Sequence, residues 1–556
     1  MAPATRILIG LFFSLWASQI LAKTYSLNEG RSRSNSFRIV NPTTERLYFE
    51  YYIGSFDALK SQKSSDLGGS RGEFHDLKFK SFKMTNEEGK VSLPYQSFIV
   101  KAKKENLIVG LKHLPGKFFK DIYSQVAPKK PCRCDKNSPI SYEIKGDYEN
   151  ESSPLYEIES LGTYRGQALT RVKVYGARQR SAGIEVFPSL KLSLMTKDRS
   201  PLALVNFKKD FKESNRHFLI IASKELEEGA LEWSLFKQSQ GYQVDLFYYE
   251  DIATDALTLQ KFIREQYKLK GHQYAVIIGH EFLVPTFYRE TSMAWDTPTD
   301  YPYFYMDNDE ARADLFPEIF YGRVTGATNE DIVNQVKKLK EFENRSWRNA
   351  EGISRSIGIA SNEGINPTDE EYVAQMLDPL KNGHNLTPKY FFQKDPQAQV
   401  SQINTALNRG AYWLNYIGHG SGGSWPSIHQ GEYLSSDIYQ IKPGAVKPVI
   451  IDVACQNGRF NEEGRLGETF MNAQASGEPV GALSYFGGSV DISWDPPAIM
   501  AVGIGESMGK NRNSYSLFGH ILQGQNHLLQ NYSTIESIVE NHVWYHLLGD
   551  PSLKMR

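Results

Sequence analysis

The chain has 556 residues, which corresponds to roughly three to four domains of ordinary size. Hydrophobic residues make up 40% of it and charged residues 23%, a composition that excludes disordered and fibrous proteins. Because 63 Lys and Arg residues nearly balance 64 Asp and Glu residues, the net charge of −1 argues against a nucleic-acid binder.

The first predicted element is an export signal. Residues 1–22 carry Arg6, then an apolar stretch over 7–17, and end in the small Ala22 before Lys23. The apolar stretch is shorter than the roughly 20 residues that span a bilayer, and this order of features is typical of a cleaved secretory signal peptide. We therefore expect a secreted or periplasmic protein with no membrane attachment after cleavage.

Residues 23–210 are predicted to form a β-rich domain. Runs of β-branched and aromatic residues, such as 46–53 and 95–100, alternate with clusters of Gly, Ser, Asn and Pro. Residues 23–150 carry a net charge of +8, whereas residues 151–556 carry −10. Opposite charges predict that the first region docks on the second in a salt-sensitive way; the alternative is two solvated surfaces without contact.

From residue 211 onward, short apolar strands alternate with helical stretches. This alternation predicts an α/β fold of parallel βαβ units with helices on both faces of the sheet. We expect two α/β subdomains, 211–350 and 351–556. In such sheets ligands bind beyond the carboxyl ends of the strands, so residues at those ends are the first candidates for function.

Two predicted strands end in reactive side chains. The strand at 411–417 is followed by His419, and the strand at 448–454 is followed by Cys455. If these strands are neighbours, the imidazole can lower the pKa of the thiol and protonate a leaving amine. The backbone N–H groups of Gly420 and Cys455 are candidate donors to a developing oxyanion. The alternatives are an inert buried cysteine and a surface histidine.

The other two cysteines are Cys132 and Cys134. Three cysteines cannot all pair within one chain, so at least one thiol is left over. Cys132 and Cys134 either form a disulfide with each other or stay reduced. Neither this pair nor His419 with His429 has the paired ligand spacing of a zinc site.

The segments around the two reactive residues resemble a known family. Residues 415–421, Asn-Tyr-Ile-Gly-His-Gly-Ser, and residues 452–458, Asp-Val-Ala-Cys-Gln-Asn-Gly, are similar to the His and Cys segments of the gingipain-type cysteine peptidases, which share the caspase-like fold. Residues 316–323 and 548–553 also resemble family segments. The resemblance covers about residues 216–556 and extends more faintly into the β-rich region.

The resemblance implies roles for single residues. Cys455 would be the nucleophile and His419 the general acid and base, while Glu318 would orient the imidazole. Trp494 would line the pocket for the substrate residue before the cut bond. The implied protein is an exported cysteine endopeptidase made as a zymogen, in which residues 23–210 form an inhibitory prosegment.

Three apolar residues complete the predicted pocket: Ile492, Val453 and Ile417. Ile492 stands where the arginine-specific members of the family have a polar amide, and Ile417 replaces a small hydroxyl residue. Because both differences make the pocket less polar, the sequence does not predict strict arginine specificity. Asp491 and Asp495 are the candidates for a carboxylate that binds a basic side chain.

Two other functions fit the same residues. A transpeptidase would pass the acyl group from the cysteine to an amine instead of water, and a non-catalytic exported scaffold would keep only the fold. The chemistry requires no cofactor, although the resemblance implies structural calcium, for which the acidic cluster at 307–314 offers oxygen ligands. The expected partners are protein or peptide substrates and the chain's own prosegment.

Overall fold

The computed structural model describes most of the chain after the predicted signal peptide. The described residues are 22–27, 34–61, 74–135, 138–145, 148, 154–211, 213, 215–306, 314–346, 350–511 and 513–555. Residues 1–21 of the predicted signal peptide and residues 307–313 of the acidic cluster lie outside these ranges. Among the described helices, none is both long and apolar enough to cross a bilayer.

The first region is built almost wholly from strands. In its described part the strands are β1 (Lys23–Ser26), β2 (Ser36–Thr43), β3 (Arg46–Tyr52), β4 (Ser55–Lys60), β5 (Phe74–Lys78), β6 (Lys83–Met84), β7 (Pro94–Val100), β8 (Leu107–His113), β9 (Lys117–Lys120), β10 (Tyr123–Ser124), β11 (Tyr156–Tyr164), β12 (Gln167–Tyr175), β13 (Ala177–Arg180), β14 (Gly183–Val186) and β15 (Ser189–Thr196). They form sheets in the orders β1-β4-β5-β10, β11-β12-β7-β6, β13-β14-β9 and β2-β3-β15-β8. Alternate residues of β3, namely Leu47, Phe49 and Tyr51, are buried in the core between these sheets, as the period-2 pattern requires.

The second region contains the larger sheet. Its described strands are β16 (His217–Ala222), β17 (Gln243–Tyr248), β18 (Tyr274–Ile278), β19 (Phe287–Arg289), β20 (Thr297–Thr299), β21 (Phe320–Val324), β22 (Arg355–Ala360), β23 (Thr387–Phe392), β24 (Trp413–Ile417), β25 (Ser424–Ile428), β26 (Gly431–Leu434), β27 (Val449–Val453), β28 (Gln474–Ala475), β29 (Glu478–Pro479), β30 (Ser484–Gly488) and β31 (Tyr545–Leu548). Ten of them form one sheet in the order β17-β16-β18-β21-β31-β30-β27-β24-β22-β23.

Helices follow many of these strands. The described helices are α1 (Phe207–Asp210), α2 (Glu227–Ser239), α3 (Tyr249–Ile252), α4 (Ala256–Lys270), α5 (Tyr301–Phe304), α6 (Asn329–Asn344), α7 (Asp369–His384), α8 (Val400–Asn408), α9 (Ser435–Ile438), α10 (Leu466–Asn472), α11 (Asp495–Lys510), α12 (Leu517–Asn531) and α13 (Ile535–Trp544). Several begin with a side-chain cap; the hydroxyl of Thr368, for example, accepts a hydrogen bond from the backbone N–H of Glu371 at the start of α7. The predicted α/β class, with a β-rich region before it, is confirmed.

The large sheet consists of two parallel sets. Strands β17, β16, β18 and β21 run parallel to one another, and so do β30, β27, β24, β22 and β23. Strand β31 joins the sets, since it pairs with β21 in parallel and with β30 in antiparallel. The strands of the two predicted subdomains therefore lie side by side in one sheet.

Three adjacent strands create the edge that matters for function. Strand β24 lies between β22 and β27, and Ile417 is aligned with Ala360 on one side and Val453 on the other. Because these strands run in the same direction, the residues that follow them emerge together. All five residues of β24 and of β27 are buried, which fixes the backbone from which the next residues project.

The β-rich region packs against this edge. Residues after β10 leave the sheets of the first region, and Arg133 donates a backbone hydrogen bond of 3.1 Å to the carbonyl of Ile492. Nearby, Lys130 forms an ion pair of 2.8 Å with Asp495 at the start of α11. The two regions are therefore in contact, and the first reaches the segment that joins β30 to α11.

Candidate active site

Cys455 follows β27 and is completely buried. Its Sγ accepts a hydrogen bond of 3.3 Å from the backbone N–H of Ile492. Burial raises the pKa of the thiol well above its usual value, because the protein interior disfavours the thiolate, so the nucleophile is protonated in this form of the chain. As predicted, this cysteine lies at the carboxyl end of a core strand.

Gly420 is packed directly against the cysteine. A Cβ atom at this position would lie 2.7 Å from the backbone N of Cys455 and 2.2 Å from its O, closer than van der Waals contact permits. Only glycine allows the two loops to approach so closely. Among the described residues neither of these two N–H groups has a hydrogen-bond acceptor. Their role in an oxyanion hole stays a prediction.

His419 follows β24 and has two strong acceptors. Its Nε2 lies 2.7 Å from a carboxylate oxygen of Glu363, and its Nδ1 faces the backbone carbonyl of Arg133. Both nitrogens therefore point at acceptors, and a ring nitrogen that carries a proton can donate to the acceptor it faces. No hydrogen bond joins His419 to Cys455 in the described chain. The imidazole is therefore held by Glu363 and by the β-rich region through the carbonyl of Arg133, and not by Cys455.

Glu318 does not orient the histidine, so that expectation is wrong. Its carboxylate accepts hydrogen bonds from the backbone N–H groups of Arg165 at 3.3 Å and Met306 at 2.8 Å. Glu318 precedes β21, and three strands lie between β21 and β24. Since neighbouring strands are about 4.8 Å apart, Glu318 is too distant to reach His419. The carboxylate beside the imidazole belongs to Glu363.

Glu363 follows β22, the strand next to β24. Its position three residues beyond Ala360 places it at the same sheet edge as His419. The sequence analysis missed it, although the rule that functional groups follow the carboxyl ends of strands applies to β22 as well as to β24 and β27. The nearby Asp369 was missed too, because it appears in the sequence as an ordinary first-turn acid after a Thr cap.

A buried arginine fills the pocket beside this constellation. Nη1 and Nη2 of Arg133 donate hydrogen bonds of 2.8 and 3.0 Å to the two carboxylate oxygens of Asp369, and both side chains are fully buried. Burial opposes the charge of Arg133, but attraction to Asp369 outweighs this effect and raises the pKa of the guanidinium. Ser361 donates a further hydrogen bond of 2.8 Å to Asp369 and fixes the carboxylate.

Trp494 forms one wall of this pocket. The guanidinium carbon of Arg133 lies 4.4 Å from the centre of the indole ring, a cation–π contact. The carbonyl of Trp494 accepts hydrogen bonds of 3.1 and 3.0 Å from Nε and Nη2 of the same arginine. The ring also lies 6.2 Å from that of His419. Trp494 therefore contacts both the pocket and the histidine.

The apolar residues predicted for the pocket differ in their positions. Ile492 contacts the site through its backbone, whose carbonyl accepts from Arg133 and whose N–H donates to the cysteine sulfur. Val453 and Ile417 are buried, paired residues of β27 and β24, just before the loops that carry Cys455 and His419. Whether they line the pocket stays a prediction.

The carboxylate that binds the arginine is not one of the two predicted. Asp495 pairs with Lys130 at 2.8 Å, and Asp491 accepts a hydrogen bond of 2.8 Å from the amide of Gln456. Both residues lie close to Trp494 in sequence, which suggested them, whereas Asp369 comes from α7. The prediction of Asp491 or Asp495 is therefore wrong for Arg133.

A buried polar network connects the loop that carries Cys455 with the loop that carries His419. The amide of Asn457 donates to Asp452 at 3.1 Å and accepts from the backbone N–H of Gly422 at 3.0 Å, and Tyr485 also donates to Asp452. Burial raises the pKa of Asp452 to about 6, against the opposing effect of these hydrogen bonds. The network fixes the loop after β27 relative to the loop after β24.

The remaining cysteines form a disulfide. Cys132 is bonded to Cys134, and Cys455 is the free thiol. The only metal-sized group of His, Cys, Asp and Glu ligands in the described chain comprises Cys132, Cys134 and Asp491, and two of its members are the disulfide cysteines. Structural calcium stays a prediction, and most of the cluster at 307–314 lies outside the described residues.

The fold and the site together define a class: an α/β protein with a cysteine and a histidine at the carboxyl ends of adjacent core strands and a β-rich region seated on them. The model of peptidase family C25 matches residues 211–556, and the chain belongs to this family. The predicted gingipain-type, caspase-like relationship is confirmed.

The similar proteins come from Porphyromonas gingivalis. Gingipain R2 is 25% identical over 299 residues, which cover 51% of this chain and 38% of gingipain R2. Lys-gingipain is 23% identical over 374 residues, covering 60% of this chain and 20% of that protein. The chain therefore spans less than half the length of these relatives.

Two solved structures have a similar fold. One is a crystal structure of the Arg-specific cysteine proteinase gingipain R, with a TM-score of 0.54 and 24% identity, covering 62% of this chain and 79% of that one. The other is the complex of the pro- and mature domains of RgpB, with a TM-score of 0.54 and 23% identity, covering 61% and 80%.

Proposed function

We propose that this chain is the latent form of an exported cysteine endopeptidase that cuts after arginine. The observation that carries the proposal is the buried arginine of the prosegment, Arg133, whose side chain fills a pocket next to the free thiol of Cys455. A carboxylate, an indole face and a backbone carbonyl hold its guanidinium. A substrate arginine would bind in the same way after the prosegment leaves.

The pocket is shaped for a guanidinium and poorly suited to an ammonium. Asp369 accepts two parallel hydrogen bonds, and Trp494 offers a flat face on which a planar group stacks. Arginine satisfies both contacts at once, whereas lysine is a point charge without a planar fork. The arginine specificity named for gingipain R therefore enters the proposal for this chain, despite the apolar Ile492.

The chemistry follows from the strand ends. After release of the prosegment, His419 takes the proton of Cys455, and the thiolate attacks the carbonyl carbon of the bound arginine. The N–H groups of Gly420 and Cys455 stabilise the oxyanion of the tetrahedral intermediate. His419 then protonates the leaving amine, and water completes the hydrolysis. Glu363 holds the ring and stabilises its charged form.

The same geometry accounts for latency. The carbonyl of Arg133 accepts a hydrogen bond from His419, so its oxygen is directed to the histidine instead of to the two oxyanion donors. The histidine is occupied, and the thiol of Cys455 is protonated because it is buried. The prosegment thus binds as a substrate residue binds but in an unreactive pose. The export predicted from residues 1–22 belongs to the same proposal.

The proposal is tested with peptide substrates. The β-rich region is removed from the full-length chain by limited proteolysis. The remaining chain is assayed against fluorogenic peptides that differ only in Arg, Lys or Ala before the cleaved bond. We expect kcat/KM for Arg to exceed that for Lys at least tenfold and Cys455→Ala to abolish all cleavage. Equal rates for Arg and Ala, or full activity of Cys455→Ala, would overturn the proposal. Added amine acceptors distinguish hydrolysis from transpeptidation by the mass of the product.

A further inference from the structure

The inhibitory arginine sits between the two disulfide cysteines. Arg133 is completely buried, whereas Cys134 is exposed and Cys132 is half-buried. A small thiol can therefore reach the disulfide while the arginine that it brackets is out of reach. The sequence Cys-Arg-Cys thus joins an accessible redox centre to the residue that blocks the pocket.

The disulfide closes a small ring around the backbone of Arg133. The N–H of this residue, which donates to Ile492, and its carbonyl, which accepts from His419, are both part of that ring. A closed ring restricts the dihedral angles of the three residues and lowers the entropy that is lost when the segment docks. In the open form the segment must be ordered by its contacts alone.

We propose that the Cys132–Cys134 disulfide is a thiol–disulfide exchange site through which a small dithiol releases the inhibitory arginine. This inference rests on the proposed function of the pocket. One thiolate of the reductant attacks Sγ of the exposed Cys134 and forms a mixed disulfide, and Cys132 leaves as a thiolate that takes up a proton. The second thiol of the reductant then closes its own disulfide and releases Cys134 as a thiol.

The ring also decides whether cutting the inhibitory segment has a lasting effect. If Cys455 cleaves the bond between Arg133 and Cys134 while the disulfide is intact, the new amine stays tethered beside the acyl group. Its high effective concentration then favours resealing of the bond. Once the disulfide is reduced, the amine end can leave the site and water completes the cleavage. Reduction therefore converts a resealable bond into an ordinary substrate bond.

The same reductant serves the catalytic thiol. Cys455 must be reduced to act as a nucleophile, and an oxidising medium that damages it also keeps the inhibitory ring closed. The chain thus stays latent in an oxidising medium, where the thiol of Cys455 would be lost, and opens in a reducing medium, where this thiol can act. This coupling needs no third component, because both thiol chemistries respond to one dithiol.

The test uses a chain without catalysis. In Cys455→Ala the only cysteines left are Cys132 and Cys134, so that any effect of a reductant on cysteine must act through them. Backbone amide exchange is measured by mass spectrometry on the full-length variant with and without dithiothreitol. All samples contain a chelator, since the two thiols with Asp491 would offer three ligands to a metal ion.

We expect reduction to lower the protection of the Arg133 amide and of residues 489–494 at least tenfold, while strand β12 stays unchanged. A matched variant, Cys132→Ser with Cys134→Ser in the same background, should show the low protection with or without dithiothreitol. Unchanged protection after the thiols are shown to be free by mass overturns the proposal. This outcome comes from the chain with both cysteines in place, so it does not depend on folding of the double variant.

Failure of this inference differs from failure of the proposed function. With Cys455 in place, arginyl peptide hydrolysis is measured in parallel. If arginyl peptides are hydrolysed but amide protection is the same with and without the reductant, the exchange site is overturned and the proposed peptidase activity stands. If amide protection falls on reduction but arginyl peptides are not hydrolysed, the exchange site is supported and the proposed peptidase activity is overturned.

Discussion

Two arginines of the β-rich region are buried against the catalytic region, and they are held in different ways. Arg133 meets a carboxylate of the catalytic region, Asp369. Arg171 instead donates to the carbonyls of Leu529, Tyr532 and Ser533, in and just after the last turn of α12, at distances of 2.9 to 3.0 Å.

The counter-ions show what each contact is for. Arg171 brings its own, since its Nε donates to Glu159 on the neighbouring strand β11. The carbonyls at the end of a helix carry partial negative charge, so a nearby cation is favourable there. They do not require a cation, because none of them carries a full charge. When the prosegment leaves, water can donate hydrogen bonds to the carbonyls at the end of α12. The carboxylate of Asp369, by contrast, is left in the pocket with its full negative charge. In the proposed function the first arginine occupies the substrate pocket, whereas the second attaches the β-rich region.

Removing the charge of Asp369 should have the largest effect. In Asp369→Asn the guanidinium of Arg133 is buried without a counter-ion, which costs about 3–5 kcal/mol. We expect the free energy of unfolding of the latent chain in urea to fall by that amount, and kcat/KM for arginyl substrates to fall at least a hundredfold. Glu370→Gln, the adjacent acid of α7, removes only a surface ion pair with Lys394 and should change neither. An equal loss in both variants would contradict the role of Asp369.

Removing Arg133 should open the site without detaching the domain. In Arg133→Ala the pocket is empty and the segment loses its side-chain contacts to Asp369 and Trp494, so we expect an arginyl chloromethyl ketone to label Cys455 at least tenfold faster than in the unchanged chain. The label is read by mass spectrometry after timed exposure. If the rate stays the same, another part of the prosegment blocks the nucleophile.

Removing Arg171 should weaken the attachment of the β-rich region without opening the site. Arg171→Met loses the hydrogen bonds to the end of α12, and we expect the free energy of unfolding to fall by about 1–3 kcal/mol. Glu159 keeps a partner, because Lys173 lies 2.8 Å from it. Labelling of Cys455 should stay within about threefold of the unchanged chain. Labelling as fast as in Arg133→Ala would mean that the two contacts are not separable.

A pH titration should sharpen the comparison at α12, because Nζ of Lys83 donates a hydrogen bond to the carbonyl of Gln530 in that helix. Burial, together with the positive charge of Arg171, lowers the pKa of Lys83 to about 8 from an ordinary value near 10.5. The unfolded chain then binds more protons between these values, so the stability should rise as the pH goes from about 8 to about 10.5. Thermal unfolding of the unchanged chain and of Lys83→Met over this range tests the sign; the variant should lack this rise.

Salt should have the smallest effect. The charge difference between the two regions predicts salt-sensitive docking, but both arginines that join them are buried and weakly screened. We expect the labelling rate of Cys455 to change less than about threefold between 0.05 and 0.5 M salt. A change of tenfold or more would show that the long-range field, and not the two buried contacts, holds the prosegment.

The local pattern of the sequence was enough for part of the site. His419 and Cys455 each follow a fully apolar run, and a parallel sheet brings the ends of such runs to one edge. The same rule predicts Glu363 after β22. Glu318 is implied by the resemblance alone, which carries no information on the three strands that separate β21 from β24.

By itself, then, the sequence determined the class of fold and the position of His419 and Cys455 at one edge of the sheet, because strand ends and short-range periodicity are local properties. Only the tertiary structure decided which charges meet. Arg133 and Asp369 are 236 residues apart, and no spacing rule connects them. Their contact depends on how the β-rich region packs over the sheet edge, where a buried guanidinium must find a carboxylate to offset the cost of leaving water.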